Sequence, residues 1–202
     1  MEWEGAWVPR LTLEKIGIIS AGEIAEVTTP KPSGEKKAEP VRMFVSYSHE
    51  NLTWSKRLSF LIKAKANVNP LQPWHDTELK AGDRWDKEIR TELERMDIFL
   101  CLVSYQFLAS DYIKTVELPR AMARHKNGEI EVVPVILYRM DLERDCKFLY
   151  ELNPLPAEWN KPWQDFKKDG DWNDALPLIG NGIEQAIEKA LLRPLDGLNS
   201  AH

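Results

Sequence analysis

Cysteine is scarce in this chain, with two in 202 residues, Cys101 inside an apolar run and Cys146 in a polar segment. That excludes a disulfide framework and reads as a pair of reduced thiols. No apolar stretch approaches the ~20 residues that a membrane-crossing helix requires. The opening MEWEGAW lacks the basic-then-apolar order of a secretory signal. A cytoplasmic protein with no membrane contact is therefore expected. Positive charge is not in excess: 27 Lys and Arg stand against 32 Asp and Glu, for a net charge of -5. Nucleic-acid binding by this chain has no electrostatic support. Histidine is also rare, with 4 in the chain. His75-Asp76 resembles half of a metal pair, but no other histidine stands at a matching spacing, so no metal is expected. Internal repeats and low-complexity tracts are missing.

What is present is the composition of a soluble globular domain, 43% hydrophobic and 29% charged, long enough for one domain plus an extension. Residues 1–40 read as that extension. The apolar patch IGIIS is followed by the proline-rich, charged TTPKPSGEKKAEP, which has linker character. The patch reads equally as a short strand, a hook for a partner or a tail. The domain proper spans 41–193, and 194–202 form a C-terminal tail. Within the domain, strands alternate with helices. Val41–Val45 reads as a first strand ending in Ser46-Tyr47-Ser48. A helix follows with Trp54, Leu58, Leu61 and Ile62 on one face, and Ser48 can cap it. NPLQPWHD is a weak second strand, confined to a sheet edge by Pro70 and Pro73. A second helix carries the stripe Trp85, Ile89, Leu93 and Met96, with Asp83 as its cap. EIEVVPVILY reads as a fourth strand, and a last helix runs through Ile179, Ile183, Ile187 and Leu191. From Met140 to Asp174 periodicity is poor, with room for a short fifth strand. Eight tryptophans is a high number, and several fall at helix-core spacing.

The chain is organised around DIFLCLVSYQFLASDYIKTVELPR, Asp97 to Arg120. Ile98–Val103 is continuously apolar, as suits a strand covered on both faces. Glu117 arrives just before Pro119. Proline is tolerated in a helix's first turn, which puts Glu117 at the N-terminal end of the following helix. Alternating strands and helices argue for a parallel sheet between two helical layers. An edge position for the weak second strand and inner positions for the greasiest ones give the order 2-1-3-4-5. Its switch point lies between strands one and three, whose exits are Ser46-Tyr47-Ser48 and Ser104-Tyr105. Ligand crevices of open sheets lie there.

The ordered set MFVSYSHEN, PWHDTELKAGDRW, LCLVSYQFLASDYIKTVEL and VVPVIL resembles the Toll/interleukin-1 receptor (TIR) domain, most closely its bacterial form, over roughly Val41 to Leu192. The resemblance implies a flavodoxin-like three-layer α/β sandwich. In the family's catalytic branch it also implies cleavage of NAD+ at the nicotinamide-ribose bond, with no separate cofactor. Glu117 matches the single catalytic glutamate of that branch. Trp74 to Gly82 matches the loop that gates the site and joins neighbouring domains head to tail. ADP-ribose or cyclic ADP-ribose variants would be the products, some of them signals in antiphage defence. One departure stands out: Ile113 occupies a position where many catalytic members have tryptophan, with Tyr112 beside it to supply an aromatic surface.

The chemistry suits these residues. Departure of nicotinamide leaves an oxocarbenium-like ribose, which a nearby carboxylate stabilises. A helix N-terminus would favour the anionic form of Glu117. Tyr105, Tyr112 and Trp74 are candidate faces for the cationic nicotinamide ring. Ser46, Tyr47 and Ser48, preceding a helix start, could meet phosphates. Asp76 could hold a ribose hydroxyl. Each has a plainer reading. Glu117 would simply stabilise a helix start, the serines would cap, Trp74 would cover the edge strand, and the tyrosines would be rim packing. Two other functions stay open: a non-catalytic adaptor working by TIR-TIR assembly with a partner sensor or effector, and a nucleoside deoxyribosyltransferase of related fold.

Overall fold

The computed structural model describes residues 39–75, 85–156, 161–166 and 173–193. The extension up to residue 38, the tail, Asp83 and most of the loop from Trp74 to Gly82 lie outside the described residues.

Four parallel strands form one sheet, β1 (Val41–Ser46), β2 (Leu71–His75), β3 (Ile98–Val103) and β4 (Glu131–Ile136), in the order β2-β1-β3-β4. The expected order of the first four strands is therefore the observed one. At the place of the fifth, a single parallel bridge joins Val135 to Leu155. Leu155 N–H donates to Pro134 O at 2.7 Å, and Ile136 N–H donates to Leu155 O at 2.8 Å.

The prolines fit because of which way their missing N–H would point. Glu131 N–H donates to Asp97 O, and Leu137 N–H donates to Val103 O. Alternation then turns the odd-numbered residues of β4 toward β3 and Pro134 away from it, so no ladder bond to β3 is lost. Likewise, Val41 N–H donates to Pro70 O, which turns Pro73 to the free side of the edge strand.

Period-two alternation splits the strands between two cores. Met43, Val45, Leu100 and Val135 face α1 (Leu52–Ala66) and α7 (Leu176–Leu191), meeting Leu58, Ile62, Ile179 and Ile183. Phe44, Phe99, Cys101 and Ile136 face the other way, toward α2 (Trp85–Arg95) and α4 (Leu118–Lys126), meeting Ile89, Leu93, Leu118 and Ala121. Every residue of β3 is buried, as its unbroken apolar run requires. Leu191, expected on the inner stripe of α7, is 43% exposed. Steps of four residues in a 3.6-residue helix drift by about 40° each, which carries the fourth member of the series off the buried face. Three short α-helices lie between these elements, α3 (Tyr105–Ala109), α5 (Leu142–Asp145) and α6 (Lys147–Tyr150).

Helix α7 and the bridge segment approach closely. A Cβ on Gly182 would stand 2.4 Å from Leu155 Cδ1 and 3.0 Å from its Cγ. Gly182→Ala should therefore destabilise the fold by about 1–3 kcal/mol through overpacking, despite the ~1 kcal/mol that alanine gains in helix propensity. Urea unfolding checks the sign.

Candidate functional site

The register Ser46↔Cys101 brings the carboxyl ends of β1 and β3 side by side. Ser46, the last residue of β1, is 2% exposed, and Glu117 is 7% exposed. The Ser46 hydroxyl donates a hydrogen bond to Glu117 Oε2. The expected acid and the expected serine thus meet at the switch point.

The local backbone differs from expectation. Glu117 does not begin a helix. Helical residues start at Asp111, Ile113–Glu117 forms a wide π turn, and α4 continues to Lys126. Leu118 N–H donates to Ile113 O, one residue further back than in an α-helix. Pro119 lacks the donor an α turn would use, and its ring would crowd the carbonyl four residues earlier. The widened turn just before it relieves that conflict, so the proline rides inside the helix. The dipole of a first helical turn consequently does not act on Glu117. The Ser46 hydroxyl faces its carboxylate.

Ser48 is corrected in the same way. A 3-10 turn, His49–Asn51, separates it from α1, and its side chain makes no capping bond. Only its carbonyl takes part, accepting from Asn51 N–H at 2.7 Å. Tyr47 follows strand alternation into the α1/α7 core, where it is 4% exposed, on the face opposite Ser46.

Trp74 lies on the Glu117 side of the sheet. Its half-buried ring stacks on Phe44 with centroids 4.7 Å apart, and Phe44 in turn meets Phe99 at 5.8 Å. Tyr112 is half-buried on the helix that carries Glu117, and its hydroxyl donates to Asp86 Oδ1 at 2.8 Å. Burial, then this bond, pushes the Tyr112 phenol well up. Asp86 also accepts from Arg90 Nε at 2.8 Å, and Arg90 first, then Tyr112, hold its carboxyl below the ordinary value. Ile113 is 4% exposed in the core beneath. Tyr105 is placed elsewhere: 52% exposed, it donates to Asp145 Oδ2 at 3.2 Å. It lines a cavity of about 530 Å³ whose lining includes neither Ser46 nor Glu117. Asp76 lies outside the described residues.

Two buried polar residues brace the strand exits, and their pairing escaped sequence reasoning. Ser104 donates through Oγ to Asn51 Oδ1 at 2.7 Å and accepts from Phe107 N–H at 3.0 Å. Both residues are at least 98% buried, and they tie the segment leaving β1 to the segment leaving β3. Ser104 carried a signal, since a serine that ends a strand and opens a helix is an N-cap candidate. Asn51 carried none.

Cys101 and Cys146 are free, buried thiols in the same core. Burial raises both, Cys146 to about 11 and Cys101 well above the ordinary value. Neither should react appreciably with a thiol reagent at pH 8 in the folded protein, since the thiolate is the reactive form. Both should react on unfolding in urea, and counting modified thiols by mass checks this. Among the described residues no group of three or more His, Cys, Asp or Glu side chains could hold a metal.

Comparison with known proteins agrees with the fold. The TIR domain family model matches residues 43–179, more than half of the chain. An uncharacterized protein of Sinorhizobium fredii, y4lF, is 36% identical over 151 residues, covering 71% of this chain and 43% of that protein. The chain thus spans less than half the length of this curated relative. A parallel sheet in the order 2-1-3-4, helices on both its faces and a family match running from inside β1 into α7 carry one conclusion: the chain belongs to the TIR domain family.

Proposed function

We propose that the chain cleaves NAD+ at the nicotinamide-ribose bond, as a glycohydrolase or ADP-ribosyl cyclase. The observation that carries the reading is the Ser46–Glu117 pair, a buried carboxylate at the carboxyl ends of the two central strands. As the C–N bond breaks, its electron pair leaves with nicotinamide and positive charge grows on the ribose. A carboxylate fixed beside that carbon stabilises the charge. Ser46 orients the carboxylate, and the Trp74 ring, on the same side of the sheet, offers a face to the cationic pyridinium. Water adding to the ribose gives ADP-ribose and releases a proton. Capture by a nucleophile within the same molecule gives a cyclic product instead. Self-association through the loop from Trp74 to Gly82, a cytoplasmic setting and a role in antiphage signalling belong to this reading. Chromatography of the products after concentrated protein meets NAD+, with Glu117→Ala in parallel, tests it. Nicotinamide release by the unmodified chain alone supports it, and intact NAD+ in both samples, concentrated or assembled, overturns it.

A second reading rests on Ile113, which is buried where catalytic relatives are expected to present tryptophan. It makes the chain a non-catalytic adaptor that signals by assembly. That reading requires concentration-dependent oligomers in light scattering and no NAD+ turnover.

A further inference from the structure

Of the three aromatic side chains expected to face nicotinamide, Tyr105 alone lines a separate cavity, beyond the carboxyl end of β4. We propose that this cavity binds a small organic cation with a weakly hydrated head, of the quaternary ammonium class.

Size comes first. About 530 Å³ lies within the range of small-molecule sites. The walls combine three tyrosines, Tyr105, Tyr138 and Tyr150, with the apolar Ile136, Met140 and Leu142. Tyr105 and Tyr138 are tethered. The Tyr105 hydroxyl donates to Asp145, and the Tyr138 hydroxyl accepts from Trp54 Nε1 at 2.8 Å. Tethering lowers the ordering cost of binding.

Charge decides the class of ligand. Arg139 and Arg144 line the cavity, but each already faces carboxylates. Arg139 pairs with Asp165 at 2.6 Å, and Arg144 pairs with Asp145 at 2.9 Å and lies 3.7 Å from Asp141. Glu143 adds a further carboxylate to the lining. Within the lining Arg139 and Arg144 stand against Asp141 and Glu143, and the ion-paired Asp145 and Asp165 lie just behind it. Both lining guanidinium groups are already ion-paired, so a phosphate or carboxylate ligand would have to displace a carboxylate, whereas a cation held by rings would not. Bare metal ions do not fit, because no cluster of three ligating side chains exists among the described residues. Three tyrosines with carboxylates beside them suit a cation held by rings rather than by coordination. The inference does not depend on NAD+ cleavage, since neither Ser46 nor Glu117 lines the cavity.

The test is a titration of the full chain with choline and with its uncharged carbon analogue dimethylbutanol, followed by calorimetry and by NMR shifts. Choline should bind about tenfold more tightly than the alcohol. Tyr105→Ala and Glu143→Gln should each weaken it about three- to tenfold, and Tyr105→Phe should keep it. Glu117→Gln should bind choline as the unmodified chain does, whether or not NAD+ is cleaved. Both Tyr105 and Glu143 are exposed, so a matching urea midpoint will show that the variants fold. Equal affinity for the alcohol, no saturable binding, unchanged binding by Tyr105→Ala, or loss of binding in Glu117→Gln would each overturn the assignment.

Discussion

Glutamine in place of Glu117 is expected to lower NAD+ cleavage by about 10²- to 10³-fold, the usual cost of removing one preorganised electrostatic partner of a transition state. The substitution keeps the side chain's shape and an acceptor for Ser46. Ser46 Oγ, which now donates to Glu117 Oε2, can donate equally to an amide oxygen at that place. What disappears is the negative charge. A buried carboxylate is expensive to desolvate, so the amide should leave the urea midpoint unchanged or raise it. The two readouts therefore separate chemistry from folding. Full turnover in Glu117→Gln would remove the carboxylate from the mechanism. Ser46→Ala probes the same pair from the other side. It leaves the charge but removes the hydroxyl that orients it, so it should lower kcat by less than Glu117→Gln does, with stability falling by about 1 kcal/mol for the lost hydrogen bond.

The elements that position this pair were legible because each is set by a local pattern. IFLCLV is apolar at every position, and it is the strand with helices on both faces. Prolines in the second strand excluded it from the sheet interior, and the order of the first four strands followed. The pair itself was legible one residue at a time, Glu117 through the family pattern and Ser46 through its place at a strand exit. The π turn was not. Helical periodicity assumes 3.6 residues per turn, and one extra residue in a turn leaves no compositional mark, so Pro119 read as the start of a helix. Tyr47 was misplaced for a different reason. Consecutive strand residues point to opposite faces, so Ser46 and Tyr47 could not both line one crevice, and alternation alone would have separated them. The partnership of Asn51 with Ser104, 53 residues apart, and that of Trp54 with Trp163 arise only when the chain folds back on itself.

Trp163→Ala should destabilise the domain by about 3–5 kcal/mol, the range for deleting a fully buried tryptophan. Trp163 is 0% exposed, and its ring lies 4.9 Å from that of Trp54. Trp54 in turn meets Tyr138 edge-on at 6.0 Å and donates to its hydroxyl. The indole thus closes an aromatic cluster that joins α1 to the exit of β4. Its own segment is held to the sheet by a bond from Gln164 N–H to Leu137 O at 3.1 Å and by the pair Arg139–Asp165. The ion pair is largely exposed on the arginine side and contributes little by itself. Burial of the indole, with the buried Phe166 beside it in the same core, supplies much of the attachment. Trp163→Phe, which keeps an aromatic ring but loses volume, should lie between the two in urea midpoint. A loss below about 1 kcal/mol for Trp163→Ala would show that residues 161–166 sit on the domain without stabilising it. Tyr105→Ala, on the exposed rim nearby, should by contrast stay within about 0.5 kcal/mol of the unmodified chain. The contrast between the two aromatic truncations separates a side chain that builds the domain from one left available to a ligand.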